Sequence, residues 1–308
     1  MHEKKDILSL DKFGAGDIMD LLTQTDSFAE VLKRDVKKVP ALRGKTVINL
    51  FFEPSTRTKV SFEIAAKRLS ADLINFSTSS SSLKKGETEI DTLKTINAMK
   101  TDLVIIRHGY SGYINYFASK IPIPVINAGD GKHEHPTQAL LDLYTIFKKF
   151  PDFNGLKVGI VGDIENSRVA RSDIMLFKKM GMDVTVVAPS MLMPENFGYF
   201  GVKTTACIDD VISDVDILYM LRMQFERQDK KFYPSVQEYN RFLSLDASRL
   251  SLMKKESIVM HPGPVNRGIE ISDEVMEMEN IYDSRVLIND QVTNGVAVRM
   301  AVLYYALS

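Results

Sequence analysis

Residues 45–69, KTVINLFFEPSTRTKVSFEIAAKRL, indicate the fold class of this chain. It begins as an apolar, strand-forming run, turns at Pro54, and continues as an amphipathic helix. The same alternation of short apolar runs and helical segments repeats along 71–77, 88–100, 101–108, 114–120 and 124–127. Because the apolar runs lack the alternation of half-exposed strands, they predict a parallel sheet that is covered by helices on both faces.

A second series of the same kind starts at residue 156. A long helix from Pro136 ends in the turn-rich sequence FPDFNG at 150–155, and apolar runs then recur at 156–163, 182–189, 201–206, 215–220 and 257–264. We therefore predict an α/β protein with two doubly wound parallel-sheet domains joined by helices. The predicted domains are residues 1–148 and 149–289.

The C-terminal segment, residues 290–308, is predicted to form a closing amphipathic helix that returns to the first domain. Its predicted buried stripe is Val292, Val296, Met300, Leu303 and Leu307.

Composition excludes several classes of partner for this chain of 308 residues. Lys and Arg number 39 against 40 Asp and Glu, so no global basic field exists to attract nucleic acid or an anionic membrane. The single cysteine, Cys207, cannot form an internal disulfide. No apolar run approaches the roughly 18 residues that a membrane span needs, and no signal peptide is recognisable. We expect no nucleic-acid or membrane partner and a cytoplasmic location.

The sequence FFEPSTRTK, residues 51–59, places Ser55, Thr56 and Thr58 in the first turn of a helix, together with Arg57. A helix N-terminus offers free backbone N–H groups and the positive end of the helix dipole, so hydroxyls and a guanidinium there predict a phosphate site. The alternative is an ordinary helix cap with a surface arginine.

Two further residues follow predicted strands. Arg107 comes directly after the apolar run at 103–106, where the ligand crevice of a parallel sheet lies, although a solvated arginine closing a strand is the alternative. His135 precedes Pro136 and is predicted at a helix N-cap, with Gln138 on the same face. A neutral imidazole and an amide there can polarise or hold a carbonyl group, and a purely structural cap is the alternative.

Two segments also allow interpretations other than a site for small anions, namely a metal site and a solvated linker. His133 and His135 resemble a metal pair, but no further ligand cluster accompanies them, and we expect no metal. The serine-rich run before Lys84 and Lys85 has the composition of a solvated linker, although mobile lysine loops also close over anions.

The second half of the chain carries Arg168, then Arg222 and Gln224, then the loop HPGP at 261–264, each after an apolar run. Gly159 and Gly162 match a dinucleotide fingerprint only in part, since the third glycine is missing. Guanidinium groups hold carboxylates bidentately, so this half is predicted to bind carboxylates. With no evident nucleophile, acid pair or cofactor motif, the sequence favours group transfer from a phosphate-activated donor, without a cofactor.

The motifs FxxPSTRT, HPTQ and HPGPVNRG, with the SxxxKKGE loop and RMQxER, resemble those of the aspartate/ornithine carbamoyltransferase family, in the family's order and over essentially the whole chain. The resemblance is greatest to the members that use L-aspartate. It implies transfer of the carbamoyl group of carbamoyl phosphate to the amine of L-aspartate, giving N-carbamoyl-L-aspartate and phosphate, an early step of de novo pyrimidine biosynthesis.

The resemblance also implies roles for individual residues. The phosphate would bind to Ser55, Thr56, Arg57 and Thr58, while Thr58, Arg107 and His135 would contact the carbonyl oxygen. The carbamoyl amine would be bound by Gln138 and the backbone at Pro262, Gly263 and Pro264. The carboxylates of aspartate would be bound by Arg168, Arg222 and Gln224.

In this family the catalytic unit is a trimer, so the resemblance implies a homotrimer in which Lys85 enters the site of a neighbouring subunit. Whether regulatory chains attach is left open. The sequence SSSSLKKGE leaves the choice between Ser81 and Ser82 for the family's contacting serine ambiguous, and Gly263 stands where some relatives carry a larger apolar residue.

Three alternatives stay open at the level of sequence. An ornithine-using member of the family would be expected to have HCLP and SMG where this chain has HPGP and RMQ. A nucleotide-dependent dehydrogenase built on the second domain is opposed by the incomplete glycine pattern. A non-catalytic anion-binding relative is opposed by the presence of every motif residue.

Overall fold

The structure is a computed structural model that describes residues 4–77, 86–195, 197–224, 236–279 and 283–308. The chain divides into two compact units. Unit 1 comprises Met1–Tyr144 and Thr293–Ser308, and unit 2 comprises Thr145–Val292. Both divisions fall inside helices, because residues 136–149 and 288–307 each form one continuous helix.

Unit 1 alternates helices and strands along the chain. Its elements are α1 (Ala15–Leu32), β1 (Thr46–Phe51), α2 (Thr56–Arg68), β2 (Asp72–Ser77), α3 (Glu89–Ala98), β3 (Leu103–His108), α4 (Tyr113–Ala118), β4 (Val125–Asp130) and the start of α5 (Pro136–Lys149). The strands pair in parallel in the order β2-β1-β3-β4. The chain therefore crosses to the other side of β1 after β2, and the reversal of strand order lies between β1 and β3.

Burial explains why the strands of unit 1 read as continuous apolar runs. Every residue of β3 and β4 is buried, as is all of β1 except its first residue. A strand that is covered on both faces has no solvent face, so both sets of alternate side chains are mostly apolar, and polar residues such as Arg107 and Asp130 lie near the carboxyl ends.

Unit 2 repeats the pattern with shorter strands. Its elements are β5 (Lys157–Val161), α6 (Arg168–Lys179), β6 (Asp183–Val187), β7 (Lys203–Thr205), β8 (Ile217–Met220), α7 (Val236–Leu243), α8 (Ala247–Leu252), β9 (Ile258–Met260), α9 (Asp273–Met278) and the start of α10 (Ile288–Leu307). The parallel strand order is β7-β6-β5-β8-β9, so the reversal lies between β5 and β8. The predicted α/β fold with two doubly wound parallel sheets is confirmed.

The stripe predicted for the C-terminal helix is wrong at its start. Val292 is 57% exposed, whereas every residue from Ala297 to Leu303 is buried. A run of seven buried residues covers all sides of a helix, so this part of α10 is enclosed and not amphipathic. Within unit 1, Tyr305 packs on Phe13 with ring centroids 5.7 Å apart.

Among the residues that the structure describes, none of the helices combines the length and the apolar character that a membrane crossing requires.

Candidate active site

Each sheet gathers polar side chains at the place where its strand order reverses. In unit 1 the segment that leaves β1 carries the residues from Ser55 to Thr58, and the carboxyl end of β3 carries Arg107. In unit 2 the segments that leave β5 and β8 carry Arg168 and Arg222. In open α/β sheets, ligands bind beyond the carboxyl ends of the strands at such a reversal, because the two connecting segments diverge and leave a crevice.

The N-terminus of α2 has the form of an anion site. Ser55 occupies the N-cap position in an extended conformation, but its side chain does not cap the helix and instead donates to Thr58 Oγ1 at 3.1 Å. Thr56 and Arg57 are exposed beside it. Because the first N–H groups of a helix have no intrahelical acceptor, this turn offers backbone donors, hydroxyls and a guanidinium to one anion.

Arg107 is held by two partners at the end of β3. Its Nη1 donates to the carbonyl oxygen of Ala128 at 3.1 Å, and its Nη2 donates to Glu53 Oε1 at 3.1 Å. The residue is only 9% exposed. A guanidinium that is fixed by a carbonyl and a carboxylate loses little conformational entropy when it binds a third oxygen.

His135 and Gln138 lie at the start of α5, and both are buried. The carbonyl oxygen of His135 accepts from Gln138 N at 2.9 Å and from Ala139 N at 3.2 Å, so the helix begins at Pro136 with His135 in the N-cap position, as the sequence predicts. The two side chains are thereby fixed one turn apart on a helix that follows the carboxyl end of β4.

Asp130 organises the turn between β4 and His135. Its carboxylate accepts from Gly112 N at 2.8 Å, Asn127 Nδ2 at 3.1 Å and Glu134 N at 3.0 Å, and lies 3.1 Å from His133 Nδ1. Burial acts to raise the pKa of Asp130, but the hydrogen bonds from His133, Gly112 and Asn127 outweigh it and lower the pKa below its ordinary value. His133 is therefore a hydrogen-bond partner of Asp130 in this turn. In the described ranges of the chain, no three His, Cys, Asp or Glu residues are grouped so as to hold a metal ion.

In unit 2, Asp163 connects the ends of β5 and β8. This fully buried carboxylate accepts from Asn166 Nδ2 at 2.9 Å and from the backbone N of Gln224 at 3.3 Å. The side chain of Gln224 in turn donates to the carbonyl oxygen of Asn166 at 3.1 Å. Hydrogen bonds therefore connect the segment just before Arg168 to the segment that carries Gln224.

Arg168 is the first residue of α6 and is buried, with Ser167 as the N-cap whose hydroxyl accepts from Ala170 N at 3.1 Å. Arg222 follows β8 and is half-buried. Unit 2 thus carries a guanidinium on each of the two segments that flank its strand reversal.

Glu270 ties the loop after β8 to the loop after β9. Its carboxylate, fully buried, accepts from Met223 N at 2.7 Å, from Asn266 N at 2.7 Å and from Asn266 Nδ2 at 2.7 Å. Burial raises the pKa of Glu270, although these hydrogen bonds act in the opposite direction. The loop of Pro262, Gly263 and Pro264 is held beside the segment of Arg222 by this residue.

Backbone conformation and close packing explain why glycine stands at two positions near these loops. Gly263 has φ of 66°, a conformation that a residue with a side chain rarely adopts, which explains a glycine at this point of the loop. At Gly162, with φ of 128°, a Cβ would lie 2.9 Å from the Tyr239 hydroxyl and 3.1 Å from the Leu221 carbonyl oxygen. Close packing between the ends of β5 and β8 therefore accounts for one glycine of the partial dinucleotide pattern.

The predicted site residues fall into two sets, each at the carboxyl edge of one sheet. Unit 1 carries Ser55, Thr56, Arg57, Thr58, Arg107, His135 and Gln138. Unit 2 carries Arg168, Arg222, Gln224, Pro262, Gly263 and Pro264. Ser81, Ser82, Lys84 and Lys85 lie outside the described residues.

Sequence reasoning missed the acidic residues that hold these groups, namely Glu53, Asp130, Asp163 and Glu270. Each lies inside or next to a motif that was recognised, such as Glu53 in EPSTRT and Glu270 in HPGPVNRGIE. That proximity was the only signal in the sequence. The role of an acidic residue near an anion site is evident only when its hydrogen-bond partner is known.

Comparison with family models divides the chain in the same order as the structure. Residues 5–148 match the model described as the aspartate/ornithine carbamoyltransferase carbamoyl-P binding domain. Residues 154–306 match the model described as the aspartate/ornithine carbamoyltransferase Asp/Orn binding domain.

Relatives of similar length and solved structures agree with this match. The aspartate carbamoyltransferase catalytic subunit of Desulforudis audaxviator is 51% identical over 298 residues, which cover 97% of this chain and 96% of the relative. That of Endomicrobium trichonymphae is 50% identical over 299 residues, covering 97% of this chain and 94% of the relative.

Among solved structures, aspartate transcarbamoylase from Trypanosoma cruzi in complex with N-(phosphonacetyl)-L-aspartic acid superimposes with a TM-score of 0.89 at 32% identity, covering 99% of this chain and 97% of that one. The same enzyme in complex with carbamoyl phosphate and aspartate gives a TM-score of 0.88 at 32% identity, covering 99% and 98%.

Proposed function

This chain belongs to the aspartate/ornithine carbamoyltransferase family, and we propose that it is an aspartate carbamoyltransferase, which transfers the carbamoyl group of carbamoyl phosphate to the amine of L-aspartate. The observation that carries this proposal is the division of polar groups between the two sheets. At its strand reversal, unit 1 presents hydrogen-bond donors for a phosphate and for a carbonyl oxygen. Unit 2 presents two guanidinium groups at its own strand reversal.

The chemistry of unit 2 favours aspartate over ornithine. Aspartate has two carboxylates, each of which is matched by the two parallel N–H groups of one guanidinium. Arg168 and Arg222 provide two such groups. Ornithine has one carboxylate and a cationic side chain, so its site would need an acidic partner in place of the second arginine.

In the proposed reaction, unit 1 binds carbamoyl phosphate. The phosphate contacts Ser55, Thr56, Arg57 and Thr58 at the N-terminus of α2, where backbone donors and the helix dipole favour a dianion. The carbonyl oxygen accepts from Thr58, Arg107 and His135. The carbamoyl amine is bound by Gln138 and by the backbone at Pro262, Gly263 and Pro264. Arg168, Arg222 and Gln224 bind the carboxylates of aspartate.

The neutral amine of aspartate then attacks the carbamoyl carbon, and the carbonyl π pair moves to oxygen, giving a tetrahedral oxyanion. Collapse of this intermediate restores the C=O bond and breaks the bond between the carbon and the bridging phosphate oxygen. The phosphate leaves with the bond's electron pair and takes up the proton that the amine loses. The products are N-carbamoyl-L-aspartate and inorganic phosphate, with no cofactor required by this balance.

The protein's contribution is the positioning of two anions and the stabilisation of the oxyanion. Donors that are fixed before the reaction, such as Arg107 with its two partners, need no reorganisation as the charge develops. Each such donor typically lowers the barrier by about 3 kcal/mol. An imidazole at a helix N-terminus is disfavoured as a cation, so His135 acts as a neutral hydrogen-bond donor.

We extend the proposal to a homotrimer in which Lys85 of one subunit enters the site of its neighbour. Val60 and Ile64 are exposed one turn apart on α2, and Ile74 is exposed on the edge strand β2. These exposed apolar side chains, which come just before residues 78–85 in the chain, support an interface there. Asn75 Nδ2 donates to Glu63 Oε2 at 2.9 Å and holds the two elements together. A cytoplasmic location and a role in de novo pyrimidine biosynthesis belong to the same proposal.

An assay with carbamoyl phosphate and either aspartate or ornithine, read by colorimetric detection of the carbamoyl product, tests the function. We expect N-carbamoyl-L-aspartate from aspartate and no product from ornithine. Product from ornithine alone, or from neither amino acid, would overturn the proposal.

A further inference from the structure

Asp142 lies one helical turn after Gln138 on α5, and it is fully buried. Gln138 Nε2 donates to both of its carboxylate oxygens, at 3.1 Å to Oδ1 and 3.2 Å to Oδ2. A carboxylate only accepts hydrogen bonds, so the amide must turn its NH₂ group toward Asp142 and its carbonyl oxygen away. Asp142 therefore fixes which end of the Gln138 amide faces the site.

The charge of Asp142 acts on a buried arginine of the C-terminal helix. Arg299 of α10 is 4% exposed, and its Nη1 donates to Ser61 Oγ at 2.9 Å and to the Gly295 carbonyl oxygen at 3.2 Å. Its guanidinium carbon lies 5.2 Å from the centroid of the Phe62 ring. Burial lowers the pKa of Arg299 to about 10, while the charge of Asp142 acts in the opposite direction. Arg299 thus remains a cation at neutral pH, and a nearby cation favours the ionised, accepting form of a carboxyl group.

The orientation of the amide has a chemical consequence for the group that is transferred. A carbamoyl group carries an NH₂, which donates to a carbonyl oxygen, whereas an acetyl group carries a methyl in the same place, which does not. The two acyl phosphates otherwise have the same phosphate, carbonyl and shape. A fixed hydrogen-bond acceptor beside the acyl substituent is the feature that separates them.

Resting on the proposed function, in which Gln138 contacts the carbamoyl amine, we propose that Asp142 is a positioning residue that sets the selectivity of this enzyme for carbamoyl phosphate over acetyl phosphate. It does so by directing the Gln138 carbonyl oxygen at the acyl substituent.

The variant Asp142→Asn tests this directly. Asparagine presents either its oxygen or its NH₂ to Gln138, so the Gln138 amide is free to rotate by half a turn and face the carbamoyl amine with its own NH₂ group. We expect kcat/KM for carbamoyl phosphate to fall roughly 10-fold or more, because the amine then lacks an acceptor. The inhibition constant of acetyl phosphate, measured by competition with carbamoyl phosphate, should change less than about 2-fold, because its methyl group never used the acceptor.

A matched control is Asp26→Asn. Asp26 Oδ1 accepts at 2.7 Å from the hydroxyl of Tyr144, which lies on α5 six residues after Gln138. This variant removes the same charge next to the same helix, and it should leave the selectivity between the two acyl phosphates unchanged.

A second pair of variants keeps the test decisive if Asp142→Asn does not fold. Arg299→Met removes the cation, so Asp142 becomes protonated more readily and can donate to Gln138, which should cause the same loss of selectivity. Arg299→Lys keeps a cation and should largely retain it.

Equal changes in the values for carbamoyl and acetyl phosphate, or no change in either, would overturn the positioning role of Asp142. Failure of the proposed function is a separate outcome: the unmodified enzyme would then transfer no carbamoyl group to aspartate.

Discussion

Arg107 Nη2 and Glu53 Oε1 are 3.1 Å apart, and this pair joins the carboxyl ends of two adjacent strands, β1 and β3. The backbone repeats the connection, since Phe52 N donates to the carbonyl oxygen of Arg107 at 2.9 Å. The guanidinium proposed to stabilise the oxyanion is therefore aimed by a carboxylate from the neighbouring strand's loop. Such aiming matters because a donor displaced by 1 Å loses much of its effect on the barrier.

Replacing Glu53 with Gln should lower kcat about 10-fold, because Arg107 loses a charge-assisted hydrogen bond and with it a fixed orientation. Steady-state kinetics at saturating aspartate and carbamoyl phosphate measures this. Glu30→Gln is the matched control, since Glu30 forms an exposed pair with Lys33 at the end of α1, and kcat should not change. An unchanged kcat in Glu53→Gln would show that Arg107 does not depend on this partner.

His135→Ala should lower kcat roughly 100-fold, because it removes one proposed donor to the oxyanion. The KM for aspartate should change little, since the imidazole contacts the carbonyl oxygen and not the amino acid. Initial rates over a matrix of both substrate concentrations separate the two constants. A variant with normal kcat and a raised aspartate KM would reverse the role that we assign to His135.

Arg222→Ala should act in the opposite way and raise the KM for aspartate roughly 30- to 100-fold, through the loss of charge-assisted hydrogen bonds to a carboxylate. Binding of carbamoyl phosphate, followed by its protection of the variant against thermal unfolding, should be retained. A fall in kcat alone, at unchanged aspartate KM, contradicts the assignment.

Glu134→Gln should change the pH dependence of stability. Burial raises the pKa of Glu134, although a hydrogen bond with Ser9 acts to lower it. A carboxyl group whose pKa is higher in the folded protein than in the unfolded chain binds its proton more tightly in the folded protein. The free energy of unfolding therefore falls as the pH rises above the pKa of the unfolded chain. Glutamine does not titrate, so the Tm of the variant minus that of the unmodified protein should become more positive between about pH 4.5 and pH 7.5. A difference that stays constant, or that falls with pH, would contradict this account.

Mixing two inactive variants tests the shared site. Lys85→Ala and His135→Ala chains should each form trimers with little activity, and mixed trimers should regain part of it, because some sites then contain an intact His135 and a neighbour's intact Lys85. Subunit exchange is verified by native mass spectrometry. Exchange without any recovery of activity would argue that each subunit supplies its own Lys85.

The local elements and the positions of their ends follow from the amino-acid sequence. Apolar runs such as 103–106 give parallel strands because they suit burial on both faces, and Pro136 fixes the start of α5 because its ring is tolerated only in the first turn of a helix. Since ligand groups in such folds follow strands, the ends alone also indicated Ser55, Arg107 and Arg168.

The three-dimensional structure was needed to show which strand ends are neighbours and which side chains hold the ligand groups in place. Strand order depends on packing between segments far apart in sequence, so nothing local revealed that Glu270 joins the loop of Met223 to that of Asn266. The sequence also predicts only one buried face for α10, whereas all sides of its central part are buried. This enclosure depends on elements far from α10 in the chain. The same holds for Arg299, which meets Ser61 across 238 positions. A buried charge is tolerable only where folding supplies its partner, and that partner is set by three-dimensional contact and not by spacing along the chain.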